Sequence, residues 1–195
     1  RPFLNEAART FLFDQRKLDP RVVSWCRLNS FTDKQGTSWL QIPYYDIDGH
    51  LIGVQNRNLS YQSSSINNQS SSAPRFKFPY GHTCHIYNLP VLKLLKKGEP
   101  LFITEGASDC WAMLSSGHKA VAIPSATLLK PQDLQILSTL NSQLSTVLHM
   151  YPDQDEPGER LFLDLRRLLG SPSSIVRHQL PPDYKDYSDY YLSKH

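Results

Sequence analysis

The chain has 195 residues, which is enough for one medium-sized domain or two small lobes with a buried core. Hydrophobic residues make up 39% of the chain and charged residues 20%, as is ordinary for a globular protein. No apolar run approaches the roughly 18 residues that a membrane helix needs, and charges interrupt the apolar residues at the N-terminus. These features exclude a membrane-spanning protein and a signal peptide. Because the first residue is Arg1 rather than Met, we expect a part of a longer chain.

The net charge of +3 is unevenly distributed: residues 1–104 carry +6 and residues 105–195 carry −3. This distribution is typical of a protein whose basic half binds a polyanion and whose acidic half binds a divalent cation. The three cysteines are far apart and form no CxxC pair, so we expect neither zinc nor a disulfide framework in this fragment: Cys26, Cys84 and Cys110. Cysteines of this kind indicate small buried residues in a reducing, cytoplasmic setting.

Two helices are predicted at the start of the chain. Residues 5–17 have an amphipathic pattern, with the apolar residues Ala8, Phe11 and Leu12 along one face. Asp19 followed by Pro20 is typical of an N-cap and a first helical residue, and it predicts a second short helix that ends near Trp25.

Strands follow these helices. Residues 39–46 and 50–59 are rich in β-forming residues, and Asp48-Gly49 between them predicts a hairpin. Residues 61–74 are dominated by Ser, Asn and Gln, which predicts a flexible loop inside a domain. The pattern then predicts short β-like segments at 75–79 and 85–88 and a helix from Pro90 to Lys97, ended by Gly98.

From Pro100 onward, strands and helices alternate. The strands are predicted at 101–104, 120–123, 146–151 and 174–180. The helices are predicted at 108–116, 131–140, 158–169 and, as a short element, after Asp186. Strands separated by helices of this length indicate a parallel sheet with helices on its faces.

Acidic residues follow three of these four strands: Glu105 after the first, Asp153 and Asp155 after the third, and Asp183, Asp186 and Asp189 after the fourth. Ligands of parallel sheets bind at this carboxyl edge. Asp109 lies one helical turn beyond Glu105, so both side chains can face the same crevice. Two carboxylates about 4 Å apart repel by roughly 1 kcal/mol in water and about 4 kcal/mol at an effective dielectric of 20. Several in one crevice therefore need a counter-charge, and a hard cation such as Mg²⁺ or Mn²⁺ is suited to oxygen ligands.

A purely structural interpretation competes with this one, because Asp and Glu are common in loops and at helix N-termini. For any single acid it is the stronger interpretation, and we assign it to Asp133 and Asp164. The metal hypothesis therefore depends on the grouping at three strand ends. His82, Cys84 and His85 lie close in sequence, but no second cluster completes a metal site there.

Three segments of the C-terminal half resemble TOPRIM motifs. ITEGASDCWAML (103–114) resembles the strand–Glu-Gly–helix motif, and YPDQDEPGERLFLDL (151–165) resembles the strand–DxD–helix motif. LPPDYKDYSDYYL (180–192) is similar to the trailing acidic segment of phage and mobile-element members. Gln154 stands where bacterial DnaG usually has Gly.

The resemblance extends upstream. Residues 8–31 are similar to the helical segment that opens the DnaG-type primase core, and residues 42–59 and 75–90 are similar to its basic subdomain. The ordered set resembles the catalytic core of bacterial and phage primases. It implies an α/β fold in which a TOPRIM domain, a Rossmann-like parallel sheet flanked by helices, follows a smaller mixed α+β basic subdomain. We assign residues 1–98 to the basic subdomain and 99–195 to the TOPRIM domain.

The resemblance also implies roles for individual residues. Glu105, Asp153 and Asp155 match the catalytic, metal-binding acids; Asp109 and Asp186 match further metal-binding acids, and Asp189 does so more loosely. Arg57, Arg75 and Lys77 match basic residues that contact nucleic acid or the incoming nucleotide, and Lys185 is placed near a phosphate.

The implied function is that of a primase, a DNA-directed nucleotidyltransferase that makes short primers on single-stranded DNA from NTPs with two metal ions. A replicative helicase is an implied partner, through regions that these residues do not contain. Two alternatives remain: a TOPRIM nuclease that uses the same metals, and a non-catalytic nucleic-acid-binding remnant. Phe76 and Phe78 offer stacking faces to bases, but a plain edge strand with core Phe residues and solvated cations fits RFKFP (75–79) equally well. The tyrosines of the last segment are interpreted as helix-packing residues rather than as a topoisomerase nucleophile: Tyr184, Tyr187, Tyr190 and Tyr191.

Overall fold

The computed structural model describes residues 3–61, 73–78, 85–123, 129–170 and 175–195. The chain divides into two compact units, which we call unit 1 and unit 2. Unit 1 comprises Arg1–Tyr44 and Leu51–Thr83, and unit 2 comprises Tyr45–His50 and Cys84–His195. The division of the chain into domains at residue 98 stays a prediction. The predicted loop 61–74 and the residues His82 and Cys84 fall largely or wholly outside the described residues.

Unit 1 opens with a helix that changes its hydrogen-bond period. Helix α1, Glu6–Arg9, is capped by Asn5, whose side chain accepts from the N–H of Ala8 at 2.9 Å. It continues as a π-helix over Thr10–Gln15, so the first predicted helix is present but is mostly not α-helical. Helix α2, Pro20–Trp25, begins as predicted at the Asp19 N-cap.

Four strands form the sheet of unit 1 in the order β1-β2-β3-β4: Asn29–Thr32, Ser38–Tyr45, Leu51–Asn58 and Phe76–Lys77. The short polar strand β1 was not predicted; it pairs antiparallel with β2. The predicted hairpin joins β2 and β3 through a turn that belongs to unit 2. There Asp46 donates its N–H to the carbonyl of His50 at 2.9 Å, and Gly49 takes the left-handed conformation that the turn requires, with φ 87°.

Unit 2 begins with a 3₁₀-helix over Leu89–Leu94, which is shorter than the predicted helix 90–97. Its N-cap Asn88 has φ 68° and donates through its side chain to the carbonyl of Ala120 at 2.9 Å. The predicted β-like segment 85–88 is reduced to one antiparallel bridge between Tyr87 and Ala122.

The sheet of unit 2 has the order β6-β5-β7-β8, and every adjacent pair is parallel. In chain order its strands are β5 Leu101–Thr104, β6 Ala120–Ala122, β7 Leu148–Met150 and β8 Ile175–Arg177. The helices are α3 Ala107–Ser115, α4 Pro131–Leu144, α5 Glu156–Leu168 and α6 Tyr187–Leu192. The predicted parallel sheet with intervening helices is confirmed. Helix α4 is four residues longer than predicted, because Leu140 is buried in the core and holds its last turns in place.

The two faces of this sheet differ. On one face Leu101, Ile103 and Met150 join a core built with residues of α4, α5 and the 3₁₀-helix. On the other face Phe102 stacks near His149, with ring centroids 5.2 Å apart, and His149 Nδ1 lies 2.8 Å from His178 Nε2. Among the described residues no helix is long and apolar enough to cross a membrane.

Candidate metal centre

The carboxyl edge of the unit 2 sheet brings three acidic segments together. Glu105 directly follows β5, and Asp153 lies three residues beyond the end of β7, its hydrogen-bonded neighbour. Asp186 comes from the segment that connects β8 to α6. Since β5 and β7 are parallel and adjacent, their following loops leave the sheet side by side, as expected for ligand-binding loops of an open α/β sheet.

Three aspartates form the centre of this cluster. Asp109, Asp153 and Asp186 each place one carboxylate oxygen so that the three oxygens lie within 4.8 Å of one another. Asp109 is buried in the first turn of α3, whereas Asp153 and Asp186 are half-buried. Oxygen ligands at this spacing, from three separate chain segments, are suited to a hard divalent cation. We call these residues the aspartate triad.

The electrostatics of the triad favour a proton or a cation at Asp153. Burial, followed by the charges of Asp109, Glu105 and Asp186, raises the pKa of Asp153 to about 8. A carboxylate in such surroundings is stable only if something positive neutralises it. In the metal-free protein at neutral pH, the proton on Asp153 has that role.

Glu105 shares this environment. Burial is the main cause that raises its pKa, and the charges of Asp155 and Asp186 add to the effect, whereas its hydrogen bond with Asp153 and the charge of Lys185 oppose it. Its Oε2 is buried and has no hydrogen-bond partner among the residues that the structure describes. A buried carboxylate oxygen without a partner is costly. The orphaned oxygen therefore fits a site whose full set of partners includes a cation.

Two of the predicted acids are used as helix caps. Asp155 caps α5 by accepting from the N–H of Gly158 at 2.9 Å, and it lies 3.7 Å from the ammonium of Lys185. Asp186 also caps a helix, α6, by accepting from the N–H of Asp189 at 2.9 Å, yet it keeps its place in the triad. Asp155 and Asp189 are outside the triad, and Asp189 is exposed. Lys185, which the resemblance placed near a phosphate, here forms an ion pair with Asp155.

Sequence reasoning missed Ser188. This buried residue donates both its N–H, at 2.9 Å, and its hydroxyl, at 2.5 Å, to Oδ1 of Asp109. The only signal in the sequence is its position two residues after Asp186, inside the first turn of a short helix. The two bonds hold one carboxylate oxygen of Asp109 and so restrict the orientation of this carboxylate within the triad.

Gly158 was also missed as a site residue. A Cβ atom built at Gly158 would lie 2.4 Å from the carbonyl oxygen of Asp153 and 2.8 Å from its Cβ. Only glycine allows the first turn of α5 to approach Asp153 this closely. The position of Asp153 therefore depends on a glycine five residues later in the chain, at Gly158.

Gln154, between the two acids, is the third missed residue. Its side chain donates to the carbonyls of Pro181 and Tyr184 at 2.7 and 2.6 Å, and its N–H donates to the carbonyl of Lys185 at 2.7 Å. Because these acceptors belong to the segment that precedes Asp186, Gln154 joins two of the three acidic segments.

A second acidic group lies at the β2–β3 turn, where Asp46, Asp48 and His50 also have ligand atoms within 4.8 Å of one another. The turn itself explains it: Asp46 accepts from the N–H groups of Asp48 and His50 at 2.9 Å, and Asp48 pairs with Lys93. This group is therefore a structural feature of the hairpin.

Unit 1 holds the predicted cations in an aromatic setting. The guanidinium of Arg57 lies 4.7 Å from the ring centroid of Phe11 and 5.4 Å from that of Phe76. Burial, together with the nearby charges of Arg16 and Arg75, lowers the pKa of Arg57 to about 10. Within the described residues no carboxylate forms an ion pair with Arg57. Arg16, Arg57 and Arg75 therefore form a cluster of positive charge, and such clusters bind polyanions.

Strand β4 is an edge strand in which the aromatic residues do not enter the core. Phe76 is half-buried under Arg57 and Arg75, and Phe78 is 49% exposed. The ammonium of Lys77 lies 4.7 Å from the ring of Trp39. One interpretation of RFKFP (75–79) placed its phenylalanines in the core. In the described residues 75–78, neither Phe76 nor Phe78 is buried in the core.

Residues 102–191 match the family model described as Toprim-like. The primase fragment of the bacteriophage T7 primase-helicase protein is similar in structure, with a TM-score of 0.64 and 15% identity over 93% of this chain and 69% of that one. The DnaG catalytic core has a TM-score of 0.70 and 15% identity over 97% and 69% of the two chains. The DnaG primase catalytic domain bound to single-stranded DNA has a TM-score of 0.65 and 17% identity over 97% and 70%. No curated protein matches the sequence.

Two predictions are confirmed by these similarities. Residues 102–191 match the Toprim-like family model, and the chain as a whole has the fold of DnaG-type and phage primase catalytic cores. The antiparallel sheet of unit 1 fits the smaller subdomain that the resemblance implied. At 14–17% identity the similarity establishes the fold, and the chemistry has to be argued from the residues.

Proposed function

We propose that this chain is the core of a primase-like nucleotidyltransferase, which joins NTPs into short primers on a single-stranded DNA template. The observation that carries the proposal is the aspartate triad at the carboxyl edge of a Toprim-like sheet, next to the unpartnered oxygen of Glu105. Grouped carboxylates from three segments are more than helix capping requires, since only Asp186 of the triad is a cap.

The residues present fit Mg²⁺ or Mn²⁺. Asp109, Asp153 and Asp186 would hold the ion, and Glu105 and Asp155 would join the site from its border. Bound there, a divalent ion supplies positive charge to the phosphates of the nucleotide and acidifies the attacking 3′-hydroxyl. The raised pKa of Asp153, about 8, supports the proposal because its causes, burial and the neighbouring carboxylates, also favour a cation at that carboxylate.

Glu105 is our candidate for proton transfer. A general acid or base works best when its pKa is near the working pH, and burial raises the pKa of Glu105 toward that range. We propose that its carboxylate receives the proton of the attacking hydroxyl as that oxygen bonds to the α-phosphate and pyrophosphate leaves. The triad would hold the cation that neutralises the reacting phosphates.

Unit 1 would bind the polyanion. Arg57, Arg75 and Lys77 would contact phosphates of template or nucleotide, and the exposed ring of Phe78 would offer a stacking face to a base. Lys185 would exchange its contact with Asp155 for a phosphate. A replicative helicase is a proposed partner, by analogy with the T7 fragment, whose parent protein is a primase-helicase.

The test is the incorporation of labelled NTPs on single-stranded DNA, with Mg²⁺ or Mn²⁺ and with EDTA. We expect metal-dependent short products from the wild-type chain and none from Asp153→Ala. Asp183→Ala is the matched control, because Asp183 is exposed and lies outside the triad.

Other outcomes of this experiment would indicate other functions. Metal-dependent cleavage of the DNA without primer products would identify a nuclease on the same site. Metal and DNA binding without any reaction would identify a binding module. Primer synthesis that persists in Asp153→Ala would refute the assignment of the triad.

A further inference from the structure

The segment before Asp186 has no regular secondary structure, and Gln154 donates hydrogen bonds to three of its carbonyl groups. Residues 178–186 contain one turn and no helix or strand. Gln154 donates through Nε2 to the carbonyls of Pro181 and Tyr184, at 2.7 and 2.6 Å. Its N–H donates to the carbonyl of Lys185 at 2.7 Å. Both donor hydrogens of the side chain are therefore directed at this one segment.

The acceptor oxygen of the same side chain is also engaged. Oε1 of Gln154 accepts from Nε2 of Gln179 at 2.8 Å, and Oε1 of Gln179 accepts from Arg177 at 2.7 Å. The connection thus runs from the end of β8, through two glutamines, to the loop that carries Asp153.

We propose that Gln154 is a positioning residue, which holds residues 181–185 against the β7–α5 loop and thereby fixes the distance of Asp186 from Asp153. This inference rests on the proposed function only in requiring that the aspartate triad binds a divalent cation. It does not depend on which reaction the bound cation supports.

The physical need for such a connection comes from the charges themselves. Asp153 and Asp186 lie within the 4.8 Å triad and repel one another when both are ionised. An irregular segment yields to that repulsion unless other contacts hold it. Ser188 and Tyr187 fix the start of α6 to Asp109 and Ser116. Gln154 fixes the chain on the other side of Asp186, so that the carboxylate is held from both directions.

The general alternative is that these are ordinary surface hydrogen bonds, since the side chain of Gln154 is exposed and water can replace its partners. The two interpretations differ in one measurable respect. A positioning residue acts through Asp186, so its effect on metal binding must become smaller when residue 186 no longer offers a carboxylate. A merely stabilising residue has no such dependence.

The experiment measures Mn²⁺ affinity by electron paramagnetic resonance on the full chain, for the wild type, Gln154→Met, Asp186→Asn and the double variant. Methionine keeps the length of the side chain and removes both donors. Asparagine at 186 keeps the N-cap of α6 but not the charge. Gln135→Met, at an exposed position of α4, is the matched control. Thermal unfolding shows that each variant is folded at the temperature of the titration.

We expect Gln154→Met to weaken Mn²⁺ binding about 10-fold, as the loss of an outer hydrogen bond to a metal site commonly does, and Gln135→Met to leave it unchanged. In the Asp186→Asn background, Gln154→Met should cause a much smaller further loss, because an amide oxygen binds the cation more weakly than a carboxylate. The inference is overturned if Gln154→Met binds Mn²⁺ as the wild type does, or if its effect persists in full in that background. It is also overturned if the wild type does not bind Mn²⁺.

Primer synthesis is measured on the same samples. If the wild type binds Mn²⁺ and the Gln154 effect depends on Asp186, but no primers form, the proposed function fails and the positioning role of Gln154 stands.

Discussion

Ser188 holds one oxygen of Asp109 with two hydrogen bonds, from its N–H at 2.9 Å and from its hydroxyl at 2.5 Å. Both residues are buried, and they lie 79 positions apart in the chain. The pair joins the first turn of α6 to the first turn of α3. It therefore restricts the orientation of the Asp109 carboxylate within the triad.

Ser188→Ala should weaken both stability and metal binding. The variant keeps the N–H bond but leaves Asp109 without its hydroxyl donor. Hydrogen bonds to a charged group contribute about 1.5–3 kcal/mol, so we expect a loss of that order in the free energy of unfolding, measured with urea. Ser142→Ala, at an exposed position of α4, should cost less than about 0.5 kcal/mol. Equal effects of the two changes would contradict the role of Ser188.

Gly158→Ala should displace Asp153. A Cβ atom 2.4 Å from the carbonyl oxygen of Asp153 cannot be accommodated without a shift of backbone. Overpacking of this kind costs about 1–3 kcal/mol or more, and we expect weaker Mn²⁺ binding in addition. The measurements are urea unfolding and a Mn²⁺ titration.

Gly106→Ala is the control for that change. Gly106 has φ −127°, and a Cβ there would meet nothing within 4 Å. Its replacement should cost at most about 1 kcal/mol, the difference between Gly and Ala at an N-cap. If both glycine variants lose the same stability, the close approach of α5 to Asp153 is not what makes Gly158 necessary.

The stability of the metal-free protein should fall as the pH rises from 7 to 9. In the folded chain the pKa of Asp153 is raised to about 8, whereas in the unfolded chain it is close to the ordinary value for Asp. Across the interval the folded state therefore holds a proton that the unfolded state has lost, and the free energy of unfolding decreases with pH. The window is chosen above the ordinary pKa of His, because lowered pKa values at His149 and His178 act in the opposite sense at more acidic pH.

Thermal unfolding in EDTA measures this slope, which for one group is at most about 1.4 kcal/mol per pH unit. Asp153→Asn should be more stable than the wild type at pH 8.5 and should have a shallower slope, because its amide carries no charge. Mg²⁺ should raise the unfolding temperature of the wild type most at high pH, where it does not compete with the proton. A slope that is unchanged in Asp153→Asn would assign the titration to another group.

Arg57→Ala should weaken the binding of single-stranded DNA and reduce its dependence on salt. One lost phosphate contact lowers the slope of log K against log salt by about 0.7 for a single strand. Fluorescence anisotropy at several salt concentrations measures both quantities. Arg21→Ala is the control, since Arg21 is 91% exposed in its side chain and pairs with Asp19. The same salt slope for Arg57→Ala and the wild type would exclude a phosphate contact.

The parallel sheet and the strand-end acids could be predicted because they depend on local pattern: short buried strands, helices between them, and carboxylates at the strand ends. Whether each carboxylate caps a helix or joins the triad could not be predicted. Asp155, Asp186 and Asp189 all stand near helix starts, and whether such a residue caps or faces the crevice depends on tertiary position. Asp155 and Asp186 both directly precede a helix, but only Asp186 belongs to the triad.

Other misses have the same origin. Ser188 and Gln154 act through partners 79 and about 30 residues away, and no periodicity encodes such a contact. Strand β1 is four residues long and three of them are polar, so the sequence pattern does not predict it; it is stabilised by pairing with β2. The π-helix over Thr10–Gln15 has the same amphipathic pattern as an α-helix, and we have no physical account of its different hydrogen bonding.

The 79-residue separation of Asp109 and Ser188 also has a consequence for biosynthesis. During translation, β5, α3, β7 and the start of α5 leave the ribosome before residues 181–188. The nascent chain can therefore form its sheet while Asp109 still lacks Ser188 and Asp153 still lacks Asp186. The full crowding of negative charge arises only when residues 181–188 dock, so the unfavourable electrostatics are deferred until the strands β5 and β7 that carry Glu105 and Asp153 have paired.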